Sequence, residues 1–257
     1  MAYVLVLVIT FLLGSIPFGL VISKVFYGKD LREEGSGNIG TTNAIRSMGK
    51  VGGYAVFVLD FGKGLLSGFI ATWIGGAFGF DATGVHTLTA VAFFGCTYGH
   101  IFSPWLGFKG GKGIAVAVGC LFVTFGPVGA IIELVIFAVL VVVTKYVSVG
   151  SIAAALACPV LALFFFWGNV PGWLLCAIVG FTVVWAHRGN IERLRAGTER
   201  RIGGDKDSAG RQADSNRQGS EHRASARYSS SSRAASERRS SGYRENTERR
   251  SNNRDRR

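Results

Sequence analysis

Apolar runs long enough to cross a hydrocarbon slab recur through residues 1–187, and this feature dictates most of what the chain can become. A helix rises ~1.5 Å per residue, so about 20 apolar residues cross the ~30 Å core of a bilayer. Inside that core every backbone N–H and C=O must be satisfied within the segment, which favours helices for runs of this kind. The stretches read as spans are 4–26, 51–74, 85–106, 114–126, 128–144, 148–167 and 171–187. The expectation is an all-α integral membrane protein, a seven-transmembrane-helix bundle. An average soluble fold is excluded, because 49% of the chain is hydrophobic and 17% is charged, against about a quarter charged in ordinary domains.

Charge gives the expected orientation. Basic residues favour the cytosolic ends of spans, and here they fall at 24–32, 46–50, 109–112, 145 and 188–201, whereas the alternate loops 75–84, 127 and 168–170 hold none. Placing every basic cluster on one side requires two helices across 114–144, broken near Pro127. It predicts an amino terminus outside and a carboxyl terminus in the cytosol. The 13-residue stretch 114–126 is short for a span and calls for polar capping, a thinned region or partial re-entry. The first span does not read as a signal peptide, since no basic residue precedes it and no small-residue cleavage site follows.

The net charge of +12 divides evenly at residue 202 between two unlike parts. Residues 1–202 form the expected membrane domain. Residues 203–257 are rich in Ser and Arg, with Tyr228 and Tyr243 as their aromatics. Such a tail buries too little apolar area to offset its ordering entropy, so disorder is expected. A solvated tail and weak attraction to anionic lipid or RNA are the two readings, with no specific nucleic acid implied. Cys96, Cys120, Cys158 and Cys176 lie within apolar spans and read as small buried hydrophobes.

Three polar segments on the cytosolic side carry more chemistry than connectors require. In EGSGNIGTTNAIR, Glu34 to Arg46, glycines spaced among Ser36, Asn38, Thr42 and Asn43 allow backbone N–H groups to form a concavity for an oxyanion or phosphate, with Arg46 as a planar fork. In GHIFSPWLGFKGGKG, the run Lys109, Gly110, Gly111, Lys112, Gly113 precedes a helix start, where amide N–H groups and ammonium groups converge on an anion. It is not a nucleotide P-loop, because Leu106 and Gly113 occupy positions that pattern reserves for Gly and for Ser or Thr. In HRGNIERLRAGTE, His187 and Asn190 share one helical face and can position or deprotonate a hydroxyl. Within the spans, Asp60 and Lys63 stand at i,i+3, where unpaired charges are expensive. Glu133 reads as snorkelling or protonated, not catalytic.

Together GSGNIGTTNAIR, LDFGKG, GHIFSPWLGFKGGKG and HRGNIERLRAGTE resemble, in order and spacing, the bacterial membrane glycerol-3-phosphate acyltransferases that use acyl phosphate as donor. The resemblance covers residues 3 to about 202. It implies a seven-helix bundle in the bacterial plasma membrane, with a cytosol-facing site that acylates the 1-position hydroxyl of glycerol 3-phosphate. Lysophosphatidate and inorganic phosphate would be the products. Carried over by position, Ser36, Arg46, His187 and Asn190 would be catalytic. Asn38, Thr42, Asn43, Lys109, Gly110, Gly111, Lys112, Gly113 and the weaker match Ser148 would bind substrate. Glu199 would be structural. Ile39 and Thr41 stand where relatives often carry Pro and Ala.

The expected partners are glycerol 3-phosphate, acyl phosphate, membrane lipid and a soluble enzyme that supplies the acyl phosphate. No cofactor and no metal are expected. Thioester-dependent glycerolipid acyltransferases commonly carry an Asp five residues after a His. The residues five after His86, His100 and His187 are Val91, Trp105 and Glu192. The rival class is a transporter or flippase for a phosphorylated solute, which usually shows internal repeats and mid-membrane polar groups; the two halves share no visible repeat.

Overall fold

The computed structural model describes residues 1–203, and Met1–Arg201 form one compact unit. The tail expected to be disordered, 203–257, lies outside the described residues apart from Gly203.

Every regular element among the described residues is a helix or a 3-10 turn, in the order α1 (Ala2–Ser15), α2 (Phe18–Tyr27), α3 (Thr41–Ala77), α4 (Ala82–Ile101), a 3-10 turn (Pro104–Leu106), α5 (Ile114–Thr124), α6 (Gly126–Thr144), α7 (Val147–Phe165), α8 (Val170–Ala186) and α9 (Arg188–Arg195). Each stretch read as a span is therefore helical over most of its length. By length and composition, α1 with α2, α3, α6 and α7 are able to cross a membrane, and α8 joins them if it is counted with α9 across their 50° bend. Seven full spans thus exceed what those measures support. The 11-residue α5 is too short, and α4 is diluted by threonines, glycines and two histidines.

The first expected span is broken at Pro17, and the break has a use. Proline lacks the N–H that would continue the helix. The carbonyls released at Ser15 and Ile16 are taken by Ser103 Oγ at 2.7 Å and Lys63 Nζ at 2.8 Å. Trp105 Nε1 adds a bond to Ser15 Oγ at 2.9 Å. Three groups from two separate stretches of sequence are thereby tied to one helix break. Lys63 also pairs with Asp60 at 2.9 Å and reaches His100 Nδ1 at 3.0 Å, so the charges buried in α3 are compensated.

Helices approach closely where side chains are smallest. Helix α4 packs against α1, α3, α5 and α8. A Cβ at Gly14 or Gly99 would strike the backbone of Cys96 or Phe11 across the α1–α4 contact, and Gly64 and Gly119 meet backbone in the same way across α3–α5. This is the small-residue packing expected of helices in lipid. Large apolar side chains such as Val51, Phe69, Val143 and Phe164 are exposed on the outside. In water such a surface would be a liability; against acyl chains it is the expected exterior.

Candidate active site

A cavity of about 640 Å³ opens among α3, α5, α6, α7, α8 and α9 and the loop before α3. Its wall has two unlike regions. One is polar: Ser36, Asn38, Thr42, Asn43, Arg46, Lys112, His187 and Asn190 all line it. The other is apolar, formed by residues such as Leu121, Leu134, Phe137, Ala155 and Val183.

The loop that carries Ser36 is held by Asn43. Its carboxamide oxygen accepts the Ser36 backbone N–H at 2.9 Å, and its Nδ2 lies within 3.1 Å of the carbonyls of Leu31, Glu34 and Asn38. The Gly40 N–H donates to Asn38 Oδ1 at 2.9 Å, and the Gly37 N–H to the Glu34 carbonyl at 2.9 Å. Several amides expected to face an oxyanion are therefore already bonded within the loop. Asn43 becomes the residue that shapes the loop and leaves the exposed Ser36 side chain presented to the cavity. The first-turn N–H groups of α3, at Thr41 and Thr42, are the kind of donor that a helix start leaves open. Gly49, at φ 77°, then kinks the long helix between its interfacial turns and its apolar body.

The opposite side of the polar wall is a relay of hydrogen bonds. Lys112 Nζ donates to Asn190 Oδ1 at 2.5 Å, Asn190 Nδ2 donates to Glu199 Oε1 at 2.7 Å, and Arg193 Nε donates to Glu199 Oε2 at 2.7 Å. Burial raises the Glu199 carboxyl, but the donors from Asn190 and Arg193 outweigh it and hold its pKa below the usual carboxylate value. Glu199 thus fixes which end of the Asn190 amide faces Lys112. Burial, reinforced by the charges of Arg193 and Arg46, lowers the Lys112 ammonium to about 8.

His187 caps the end of α8, buried, with its Nδ1 2.8 Å from the Val183 carbonyl. A carbonyl only accepts, so Nδ1 carries the proton and Nε2 keeps its lone pair as a base. Ser148, at the start of α7, is buried on the same cavity wall.

Lys109, Gly110 and Gly111 do not line this cavity. Lys109 is exposed, and the N–H groups of Gly110 and Gly111 donate to the carbonyls of Ile101 and His100 at 2.9 and 3.1 Å. Their lack of side chains serves close packing, since a Cβ on Gly111 would collide with the His100 ring and one on Gly110 with the His100 carbonyl. The glycine run is therefore a strap over His100 that delivers Lys112 and Gly113 to the cavity. His100 in turn stands on the Lys63–Asp60 pair. The hydroxyls of YVSVGS, Tyr146 to Ser151, are legible in sequence as lying on the same face, and Ser148 and Ser151 do line the wall; sequence reasoning missed Thr41, His100, Arg193 and Arg200. Of the two readings of Glu133, snorkelling or protonated, burial removes the first, since the side chain is 3% exposed and faces the cavity. A single polar residue at the end of an apolar helix was the signal available for His100.

The combination is that of a helical membrane protein with a polar pocket carrying Arg46 and Lys112, joined to an apolar recess. The family model described as glycerol-3-phosphate acyltransferase matches residues 4–197. A glycerol-3-phosphate acyltransferase of Rhodopseudomonas palustris (strain HaA2) is 40% identical over 205 residues, covering 79% of this chain and 98% of the relative. One from Clostridioides difficile (strain 630) is 34% identical over 206 residues, covering 80% and 98%. The crystal structure of PlsY (YgiH), an integral membrane glycerol 3-phosphate acyltransferase, in its glycerol 3-phosphate form, superposes with a TM-score of 0.68 at 35% identity, covering 79% of this chain and 96% of that one. The chain belongs to the glycerol-3-phosphate acyltransferase family.

Proposed function

We propose that this protein transfers an acyl group from acyl phosphate to the 1-position hydroxyl of glycerol 3-phosphate, releasing lysophosphatidate and inorganic phosphate. The observation that carries this reading is the pairing within one cavity of phosphate-directed groups, Arg46 and Lys112, with the basic Nε2 of His187 and an apolar recess. Similar PlsY structures are described in a glycerol 3-phosphate form and a lysophosphatidic acid form, consistent with acceptor and product sharing one site.

In this mechanism Lys112 and Arg46 neutralise the phosphates of acceptor and donor, and Asn190, aligned by Glu199, orients the acceptor. His187 Nε2 takes the proton of the 1-hydroxyl as its oxygen attacks the acyl carbonyl carbon. The resulting oxyanion is stabilised by Ser36 Oγ and the first-turn N–H groups of α3. The carbon–oxygen bond to the donor phosphate then breaks, the carbonyl re-forms, and phosphate leaves with its electron pair and can accept the proton from His187. No cofactor enters this scheme. Asn38, Thr42, Gly113 and Ser148 complete the binding wall.

In this reading residues 1–202 form a seven-span bundle in the bacterial plasma membrane, with the site facing the cytosol. The tail is a separate disordered segment, and a soluble enzyme delivers the acyl phosphate. The direct test is incubation of purified protein in detergent with glycerol 3-phosphate and palmitoyl phosphate. The reading predicts 1-acyl lysophosphatidate. Acylation at the 2-position, or no acylation by well-folded protein, would contradict it.

A further inference from the structure

Below its polar mouth the cavity continues as an apolar channel, and its far end holds a carboxylic acid. Helices α6 and α7 form an antiparallel hairpin joined at Lys145 and Tyr146. Their register follows from two close approaches: Gly150 lies against Phe137, and Gly129 against Phe165. Glu133 therefore stands opposite the stretch between those contacts, level with Ala155 and Cys158. Ser148, Ser151, Ala155 and Cys158 line the channel along one face of α7. From Ser148 to the level of Glu133 is roughly 10–15 Å at helical rise. On α8 the same descent runs from His187 through Val183 to Val179.

Glu133 is 3% exposed, and its Oε1 has no hydrogen-bond partner among the described residues. A buried polar atom without a partner is costly and calls for an explanation. Core packing alone would be better served by leucine or methionine. The neighbouring channel residues are Leu134, Phe137, Ala154, Ala155 and Cys158, so Glu133 is a polar floor beneath an apolar tube.

We propose that Glu133 is the specificity-determining end of the acyl channel, setting the longest acyl chain the enzyme uses well. This rests on the acyl-transfer reading of the same cavity. A chain whose methyl end stops short of Glu133 gains apolar contact along the tube. A longer chain presses its methyl end against the carboxyl group and displaces any water that satisfies it. A chain bearing a terminal hydroxyl at the matching length supplies the missing donor to Oε1.

Two experiments test this. The first measures binding of saturated alkyl phosphates of increasing length to the unaltered protein in detergent, each with and without a terminal hydroxyl. The hydroxyl should tighten binding roughly fivefold at one length, where it reaches Glu133, and weaken it at shorter lengths. Weakening at every length would overturn the proposal. The second compares relative kcat/KM for lauroyl and stearoyl phosphate in Glu133→Leu and Glu133→Gln. The leucine variant should shift the ratio about tenfold toward stearoyl, the scale of one stranded polar group, while glutamine leaves it near the starting value. An unchanged ratio in the leucine variant would overturn the assignment. Alkyl phosphate binding needs no turnover, so failure of the acyl-transfer reading would appear separately, as absent lysophosphatidate with the binding ladder intact.

Discussion

The Lys112 ammonium sits 2.5 Å from the Asn190 carboxamide oxygen, joining residues 78 positions apart across the mouth of the cavity. Glu199 holds the other end of that amide, so the lysine from the loop before α5 is positioned by a carboxylate beyond α9. This relay joins two motifs into one wall of the cavity, and its consequences can be measured.

Lys112→Ala should chiefly raise KM for glycerol 3-phosphate, since one ammonium contact to a ground-state phosphate is mostly uniform binding. A charge-assisted contact is worth ~1.5–3 kcal/mol, or about 10- to 150-fold. Glu199→Gln should act in the same direction and more weakly, because it frees the Asn190 amide to turn. A double-mutant cycle should show that Glu199→Gln adds little once Lys112 is gone. Full additivity would separate the two residues.

The pH dependence follows from burial of the same lysine. Burial disfavours the ammonium and brings its pKa down to about 8, so the protonated fraction falls as pH rises through that value. KM for glycerol 3-phosphate should therefore begin to climb as pH approaches 8 and rise steadily above it. Lys112→Arg, which keeps its charge throughout this range, should abolish the climb. A climb that persists in the arginine variant would assign it to another group.

Most helices were legible because apolar runs are local signals, as was the break near Pro127, whereas the break at Pro17 was read through as one span. Ser36, Arg46, Lys112, His187 and Asn190 were legible as clusters of polar types at helix ends, and the structure brings them to one cavity. What could not be read was how backbone groups are used. Gly110 and Gly111 look like an anion cradle in sequence, yet their N–H groups face carbonyls of Ile101 and His100. Asn43 looks like a ligand, yet it is occupied by its own loop. For Glu133 the choice between snorkelling and burial was not readable, because its distance from a helix end says nothing about which face it occupies. Those choices depend on contacts between residues far apart in sequence.

The buried Asp60–Lys63 pair predicts a stability effect. Lys63→Met removes the cation that faces Asp60, His100 and the Ile16 carbonyl. Stranding a buried charge in this way costs about 3–5 kcal/mol. Thermal unfolding in detergent should show a large drop for Lys63→Met and partial recovery when Asp60→Asn is added. Equal loss in the single and double variants would show that the ion pair is not the source.

The most direct test of the whole account is the identity of the donor. Purified protein should be given glycerol 3-phosphate with either palmitoyl phosphate or palmitoyl coenzyme A, and lysophosphatidate and inorganic phosphate should be counted together. The account predicts turnover with palmitoyl phosphate alone, without added metal, and one phosphate released per lysophosphatidate formed. Vigorous turnover with palmitoyl coenzyme A, in a preparation free of acyl phosphate, would contradict it.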